Sequence, residues 1–252
     1  MKIEVLDTPE LLGQRAAALI TERLNEAIGR NGSARLILST GASQFTTLSS
    51  LVQQDIDWSK IEIFHLDEYI DIGQDHPASF IKYLKERVAS KITPKSFHFV
   101  DVTLGVDEII TKLSGLLDEK PVDVGVIGIG ENGHIAFNDP PADFDDASCY
   151  KIVELDEACR RQQFGEGWFP TLDDVPRRAI SMTVTRIMMC RSIISAVPYA
   201  VKAKAVFDTL SATEPTPMVP ATMLKEHPDV TLFLDKDSAS LVGEELLAKN
   251  SG

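Results

Sequence analysis

The sequence predicts an α/β fold: one domain, residues 1–252, with a mostly parallel open sheet and helices on both faces, in a Rossmann-like arrangement. Two observations predict it. Short runs of branched apolar residues alternate along the chain with longer stretches whose apolar residues recur at helical spacing. Three of the short runs end in residues suited to ligand binding or catalysis, namely glycines with hydroxyl residues, acidic residues, or glycines with a histidine. Since open α/β sheets bind ligands beyond the carboxyl ends of their strands, these three strand ends predict one site.

The first half of the chain alternates regularly between the two patterns. An edge strand at 2–6 precedes a helix that Thr8 caps and Pro9 begins, and that stops at Gly29 and at Asn31-Gly32. The patterns that follow predict a strand at 35–39, a helix near 45–54, a strand at 61–64, a helix around 80–88, a strand at 97–100, a helix at 106–117 and a strand at 122–127.

Residues 141–178 interrupt this alternation because they are polar and contain several glycines and prolines. We interpret them as an excursion over the site, with Trp168 and Phe169 as its apolar underside. The excursion is either a mobile lid or a structural insertion. Beyond it, the patterns predict strands at 179–183 and 192–197, helices at 201–210 and 220–224, a strand at 230–235 and a closing helix at 237–247.

Composition limits the partners of the chain. A formal net charge of −13 argues against nucleic acid or an anionic membrane surface, because both would repel the chain. No apolar run approaches the ~20 residues of a membrane span, and the first residues lack the apolar region of a signal peptide. Three cysteines without metal spacing predict reduced thiols. We therefore expect a cytoplasmic protein. No surface pattern in the sequence decides between a monomer and a homo-oligomer.

The longest chemically informative stretch is Val122–Pro140, VDVGVIGIGENGHIAFNDP. An apolar strand runs into a glycine-rich loop that carries His134 and, five residues later, Asp139. An imidazole and a carboxylate at this spacing can form a general acid/base pair. A tight turn with a surface histidine is the alternative from these residue types alone, because short glycine motifs often match by chance.

Two other strand ends add an acid and an anion cradle. The run IEIFHLDEY ends in the acidic pair Asp67-Glu68. The run RLILSTGASQ ends in small hydroxyl residues around a glycine, just before a predicted helix. Backbone N–H groups and the positive end of a helix suit a phosphate there.

Together these segments resemble the glucosamine-6-phosphate deaminase (isomerase) family. The matching pieces are STGAS (Ser39–Ser43), LDEY (Leu66–Tyr69), GENGHIAFNDP (Gly130–Pro140) and AVKAKAV (Ala200–Val206), and the resemblance covers nearly the whole chain. The neighbouring 6-phosphogluconolactonase family shares the glycine–histidine core but differs beyond it. The segment HIAFNDP resembles the deaminase pattern rather than the lactonase pattern.

The resemblance implies conversion of glucosamine 6-phosphate to fructose 6-phosphate and ammonia, without a metal or another cofactor. It makes Asp67 the base at C2, His134 the ring-opening residue, Asp139 its acidic partner and Asn132 a supporting residue. The residues that the resemblance assigns to the phosphate are Thr40, Gly41, Ala42, Ser43 and Lys202. We interpret Glu68 as a structural carboxylate, and Lys204 as a solvated neighbour of Lys202.

The chain departs from the family pattern at several positions. Asp139 stands where glutamate is frequent, and Asn132 where some members carry aspartate. Gly165 occupies the place where some members carry a phosphate-binding arginine, and either Arg160 or Arg161 could substitute for it. Two other functions stay open: a lactone hydrolase of the 6-phosphogluconolactonase type, and a sugar-phosphate sensor without turnover. The residues do not decide between glucosamine and galactosamine 6-phosphate.

Overall fold

The computed structural model describes residues 1–165 and 167–250, and these form ten strands and eight α-helices. The strands are β1 Lys2–Leu6, β2 Ala34–Leu38, β3 Ile61–His65, β4 Asp67–Tyr69, β5 Ser96–His98, β6 Val124–Ile127, β7 Tyr150–Glu154, β8 Arg178–Met182, β9 Ser192–Val197 and β10 Val230–Asp235. The helices are α1 Pro9–Asn31, α2 Phe45–Leu51, α3 Phe80–Leu84, α4 Val106–Glu119, α5 Glu157–Gly165, α6 Val184–Ile187, α7 Ala203–Ser211 and α8 Glu244–Asn250.

Seven of the strands form one parallel sheet in the order β1-β10-β9-β6-β2-β3-β5. Every residue of β2, β6, β9 and β10 is buried. Strands buried on both faces read as continuous apolar runs rather than as alternating ones, which is the pattern of their sequences. The prediction of a mostly parallel open sheet is confirmed.

Helices cover both faces of this sheet. On one face α1 and α2 pack through an apolar cluster that includes Leu12, Ile20 and Leu48. On the other face α4 and α7 pack through a second cluster that includes Leu113 and Val206. Within the described part of the chain, none of these helices combines the length and the apolar character that crossing a membrane requires.

The long helix α1 shows how its sequence sets its ends. The Thr8 hydroxyl accepts a hydrogen bond from the N–H of Leu11, and Pro9 is the first helical residue. Gly32 ends the helix in the left-handed conformation (φ 73°), which a glycine adopts without steric cost. Gly29, a predicted stop, lies inside the helix instead.

The sheet order places a topological switch point between β2 and β6. From β2 the chain proceeds through β3 to β5 in one direction, whereas from β6 it proceeds through β9 to β10 in the other. The connections that leave β2 and β6 therefore part at this point and open a crevice, which is where ligands bind in open α/β sheets. Four neighbouring strands, β9, β6, β2 and β3, supply the segments around it.

A second, antiparallel sheet was not predicted. It has the order β4-β8-β7. The predicted strand at 179–183 exists as β8, but it pairs in this small sheet rather than in the large one. The excursion 141–178 is more than a polar connection, because it contains β7 and α5. In β7 buried and exposed residues are mixed, so its sequence lacks the continuous apolar run of a central strand.

A third apolar cluster holds the excursion against the rest of the molecule. Phe169 is buried in it and Trp168 packs against it, which confirms the predicted apolar underside. The other buried members are Tyr69, Ala78, Phe80, Phe137, Leu155, Cys159, Val175 and Ala179. The cluster thereby joins α5 to β4 and to the loop after β6.

Several predicted bounds differ from the structure by a few residues, and the helix predicted at 220–224 is a 3-10 helix, Pro220–Glu226. The strand predicted at 97–100 is β5, one residue earlier and shorter. The closing helix predicted from 237 begins at Glu244, because Asp235 and Ser238 exchange hydrogen bonds between side chain and backbone. Such local side-chain bonds favour a turn over a helix.

Candidate active site

The anion cradle follows β2 and faces the crevice. Ser39, Thr40, Gly41, Ala42 and Ser43 all line the cleft. Gly41 has a φ of 93°, which strongly favours glycine, and its carbonyl accepts a hydrogen bond from the Tyr83 hydroxyl at 2.9 Å. In the described part of the chain the N–H groups of Thr40 and Gly41 donate to no protein acceptor, so both remain available to a ligand.

Gln44 holds this cradle in place, a role that the sequence did not reveal. Its side chain is fully buried and its Nε2 donates to the Ala196 carbonyl on β9 and to the Ser43 hydroxyl, both at 3.1 Å. Gly128 leaves room for it, since a Cβ there would lie 3.1 Å from that nitrogen. The cradle is therefore fixed relative to β9, the strand that leads to Lys202.

Lys202 is the basic side chain of the predicted phosphate set. It lies in a short 3-10 turn, Ala200–Lys202, between β9 and α7, and it is 7% exposed and lines the cleft. Lys204 instead forms an ion pair with Asp208 on the outer surface of α7. The two lysines thus point to different environments.

Asp67 is a buried carboxylate in the wall of the cleft. It begins β4 and pairs with Ser181 of β8. Burial, reinforced by the charge of Glu68, raises the pKa of Asp67 to about 8. A carboxylate with so high a pKa is a stronger base than an ordinary one, and it is suited to removing a carbon-bound proton near neutral pH.

Glu68 faces away from the cleft and stabilises the fold. Its oxygens accept hydrogen bonds from the Ser79 hydroxyl and from three backbone N–H groups, those of Tyr69, Phe80 and Ile81. Burial raises its pKa in spite of these four bonds, which favour the charged form. The interpretation of Glu68 as a structural carboxylate agrees with this placement.

Glu68→Gln should lower the free energy of unfolding by about 1–3 kcal/mol, because an amide NH₂ would then face buried donors. Denaturant unfolding at neutral pH would measure the change. Glu86→Gln, at an exposed position, is the matched control and should stay within about 0.5 kcal/mol. Equal stability of the two variants would contradict a structural role for Glu68.

The loop after β6 brings the histidine and the carboxylate together. The Nδ1 of His134 lies 3.0 Å from Oδ1 of Asp139. Asn132 braces both residues: its Nδ2 donates to Asp139 Oδ1 and its Oδ1 accepts from the His134 N–H, each at 3.1 Å. Burial disfavours the charge on Asp139, but the contacts with His134 and Asn132 outweigh it and hold the pKa of Asp139 below its usual value.

Glycine is required where this loop turns back on itself. A Cβ at Gly130 would lie 2.2 Å from Nε2 of His134. The imidazole therefore lies directly over the Gly130 backbone, and it also lines the cleft. Asn138 anchors the far side of the loop by donating to the carbonyls of Ile135 and Met182.

Helix α5 supplies the remaining wall through two glutamines that were not predicted. Gln163 accepts a hydrogen bond from the Tyr69 hydroxyl at 2.6 Å, and Gln162 accepts one from the Glu131 N–H at 3.0 Å. Both glutamines line the cleft. No local sequence motif predicts that these glutamines line the cleft, because their position depends on where α5 packs.

Arg160 and Arg161 are the two candidates to replace the arginine missing at Gly165, and neither lines the cleft. Arg160 donates to the carbonyls of Leu172 and Val175 within the excursion. Arg161 pairs with Glu157 on the exposed side of α5. Their side chains are engaged in the excursion itself, so the structure supports neither of them as a replacement for the arginine missing at Gly165.

One group of side chains in the described residues has donor atoms close enough to hold a metal ion. His134, Asp139 and Cys159 each offer one ligand atom, and these atoms lie within 4.8 Å of one another. The three cysteines of the chain, Cys149, Cys159 and Cys190, are free thiols and all are buried.

These features define a class: an α/β protein with an acid–base site for a small anionic ligand at the switch point of its sheet. The family model described as glucosamine-6-phosphate isomerases/6-phosphogluconolactonase matches residues 7–233. The chain belongs to this family.

Relatives with a known name are similar along nearly the whole chain. The glucosamine-6-phosphate deaminase of Streptococcus pneumoniae serotype 4 (strain ATCC BAA-334 / TIGR4) is 32% identical over 243 residues, covering 96% of this chain and 100% of the relative. The enzyme of the same name from Streptococcus pneumoniae strain Hungary19A-6 is also 32% identical, covering 96% and 99%.

Solved structures give the same result for the fold. A monomeric glucosamine-6-phosphate deaminase superposes with a TM-score of 0.87 at 29% identity, covering 96% of this chain and 100% of that one. The 6-phosphogluconolactonase of Trypanosoma brucei superposes with a TM-score of 0.79 at 17% identity, covering 96% and 98%. At that identity the second likeness shows a shared fold only.

Proposed function

We propose that this chain is a glucosamine-6-phosphate deaminase, which converts glucosamine 6-phosphate and water to fructose 6-phosphate and ammonia. One observation carries the proposal: Asp67, His134, the cradle and Lys202 line a single cleft. An acid–base pair, a separate basic carboxylate and an anion cradle are the groups that this reaction needs.

The proposed reaction divides the chemistry between two proton carriers. His134, oriented by Asp139 and Asn132, opens the sugar ring by moving a proton to the ring oxygen. Asp67 removes the proton from C2 and returns it to C1, which leaves an imine at C2. Water hydrolyses the imine to the ketone and ammonia. Positioning by the cradle and Lys202 keeps C2 and C1 within reach of Asp67.

The overall reaction can be tested by ammonia release from purified protein. Glucosamine 6-phosphate, galactosamine 6-phosphate and unphosphorylated glucosamine form the panel. We expect release from an amino-sugar 6-phosphate and very little from glucosamine. Hydrolysis of 6-phosphogluconolactone without ammonia release would favour the lactone-hydrolase alternative, and binding without either product would favour a sensor.

Lys202→Ala should weaken apparent affinity for the phosphorylated sugar by about ten- to a hundredfold, since charge-assisted bonds to phosphate contribute ~1.5–3 kcal/mol each. The KM for the phosphorylated sugar measures this effect. Lys204→Ala is the control, because its side chain pairs with Asp208 outside the cleft. A larger KM change in the Lys204 variant than in the Lys202 variant would assign phosphate binding to Lys204 instead.

We also propose that residues 1–252 function as one cytoplasmic domain and as a monomer, with 141–178 forming a movable wall of the cleft. A solved glucosamine-6-phosphate deaminase structure to which the chain is similar is described as monomeric. Light scattering of the purified protein should therefore give a mass near 27.7 kDa. A dimer mass that persists on dilution would contradict the monomer.

A further inference from the structure

A cluster of three potential metal ligands lies immediately behind the wall of the cleft. Cys159 on α5 faces His134 and Asp139 of the loop after β6, and the ligand atoms lie within 4.8 Å of one another. Cys159 is 1% exposed, His134 is 7% exposed, and the Asp139 side chain is 8% exposed. The cluster is therefore almost completely enclosed by protein, with His134 as its link to the cleft.

Two of these buried atoms are poorly satisfied. Nδ1 of His134 is close to Asp139 Oδ1, but within the described residues it makes no hydrogen bond of good geometry. Oδ2 of Asp139 is buried with no hydrogen-bond partner there. Asp139 also contacts the Cys159 thiol, so the three side chains form one buried group of potential ligands in which Nδ1 and Oδ2 lack well-aligned hydrogen bonds.

We propose that His134, Asp139 and Cys159 form a binding site for Zn²⁺ or a similar thiophilic divalent cation, and that the cation inhibits the enzyme. Imidazole nitrogen, carboxylate oxygen and thiolate sulfur are the donors that Zn²⁺ prefers, at distances of about 2.0–2.3 Å. Three protein ligands leave a fourth position for water or for a ligand from the cleft.

The binding step has a defined proton balance. The Cys159 thiol loses its proton to solvent as the Zn–S bond forms, and no electron is transferred. Burial and the neighbouring Asp139 favour the neutral thiol without a cation, and a bound cation reverses that preference. Coordination of Nδ1 separates His134 from Asp139, which removes the orientation on which ring opening depends.

Binding can be measured without the deaminase assay, so the result does not depend on the proposed function. The probe is Co²⁺, added to the full-length wild-type protein and followed by absorption. Thiolate coordination gives a sulfur-to-cobalt charge-transfer band, which carboxylate and imidazole alone do not give. We expect this band at one Co²⁺ per chain, and its displacement by Zn²⁺.

Activity provides the second measurement, with Cys159→Ser as the test and Cys190→Ser as the matched control at another buried thiol. Zn²⁺ should inhibit the wild type and the Cys190 variant equally, and EDTA should reverse it. Cys159→Ser should need at least about tenfold more Zn²⁺ for half inhibition, as even second-shell changes cost 10–100-fold in metal affinity. Absence of the charge-transfer band from the wild type, or equal inhibition of both variants, would overturn the proposal.

Discussion

Asp67→Asn is expected to lower turnover of glucosamine 6-phosphate by about 10²–10⁴-fold, the usual contribution of a general base, with little change in sugar-phosphate binding. The amide keeps the shape of the side chain but cannot accept the C2 proton. Ammonia release gives kcat, and calorimetric titration with fructose 6-phosphate gives the affinity. Asp71→Asn, an exposed change on the same segment, is the control and should keep wild-type turnover. A variant at Asp67 with more than about a tenth of the wild-type rate would contradict the assignment.

The raised pKa of Asp67 gives the same variant a second signature. A carboxyl group whose pKa rises from 3.8 to about 8 on folding binds more protons in the folded than in the unfolded state. Stability therefore falls as the pH rises through this interval. Asp67→Asn lacks the effect. The melting temperature of the variant should therefore rise relative to that of the wild type as the pH increases from about 5 to 8. Wild-type kcat/KM should rise over the same range, because the base must be ionised.

His134→Gln is expected to reduce turnover of the cyclic substrate by about 10²–10⁴-fold, because glutamine cannot carry a proton to the ring oxygen. The imidazole lies directly over the Gly130 backbone. The decisive comparison uses an analogue that is methylated at the hydroxyls that close the ring and therefore stays linear.

On the linear analogue the His134 variant should recover most of the wild-type rate, whereas Asp67→Asn should not. This opposite behaviour separates ring opening from proton transfer at carbon. Equal losses on the cyclic and linear substrates would place His134 in the C2–C1 proton transfer. His76→Gln is the control, since His76 stacks on Phe169 in the excursion and does not line the cleft.

The sequence predicted those parts of the fold and site that depend on local patterns. The strands β9 and β10 have the predicted bounds, because a continuous apolar run marks a strand buried on both faces. The cradle residues and the His134–Asp139 pair were predicted because each is encoded within one short loop. Their meeting in one cleft follows from the parallel order of the strands.

The parts that were missed depend on contacts between distant segments. β4 has only three residues, β7 lacks a continuous apolar run, and their antiparallel partner β8 is remote in sequence from β4. Gln44, Gln162 and Gln163 are ordinary polar residues until packing brings them to the cleft. Cys159 lies twenty residues after Asp139 in the sequence, and only the packing of α5 puts its sulfur beside that carboxylate.

The two sheets meet at Leu66, and they also share side-chain contacts: the Tyr150 hydroxyl of β7 donates to the His65 carbonyl of β3, and Ile180 of β8 packs in the same apolar cluster as Phe64 of β3. Leu66 lies between β3 and β4; its N–H donates to the Leu38 carbonyl at the end of β2, and its carbonyl accepts from the Met182 N–H at the end of β8. The predicted phosphate cradle therefore follows a strand of the large sheet, and the Asp67 carboxylate begins a strand of the small one. We expect a sugar phosphate bound by both to bridge the two sheets. Its affinity then depends on how the sheets are placed relative to each other, so a substitution at their junction should weaken binding without any change in the residues that touch the sugar.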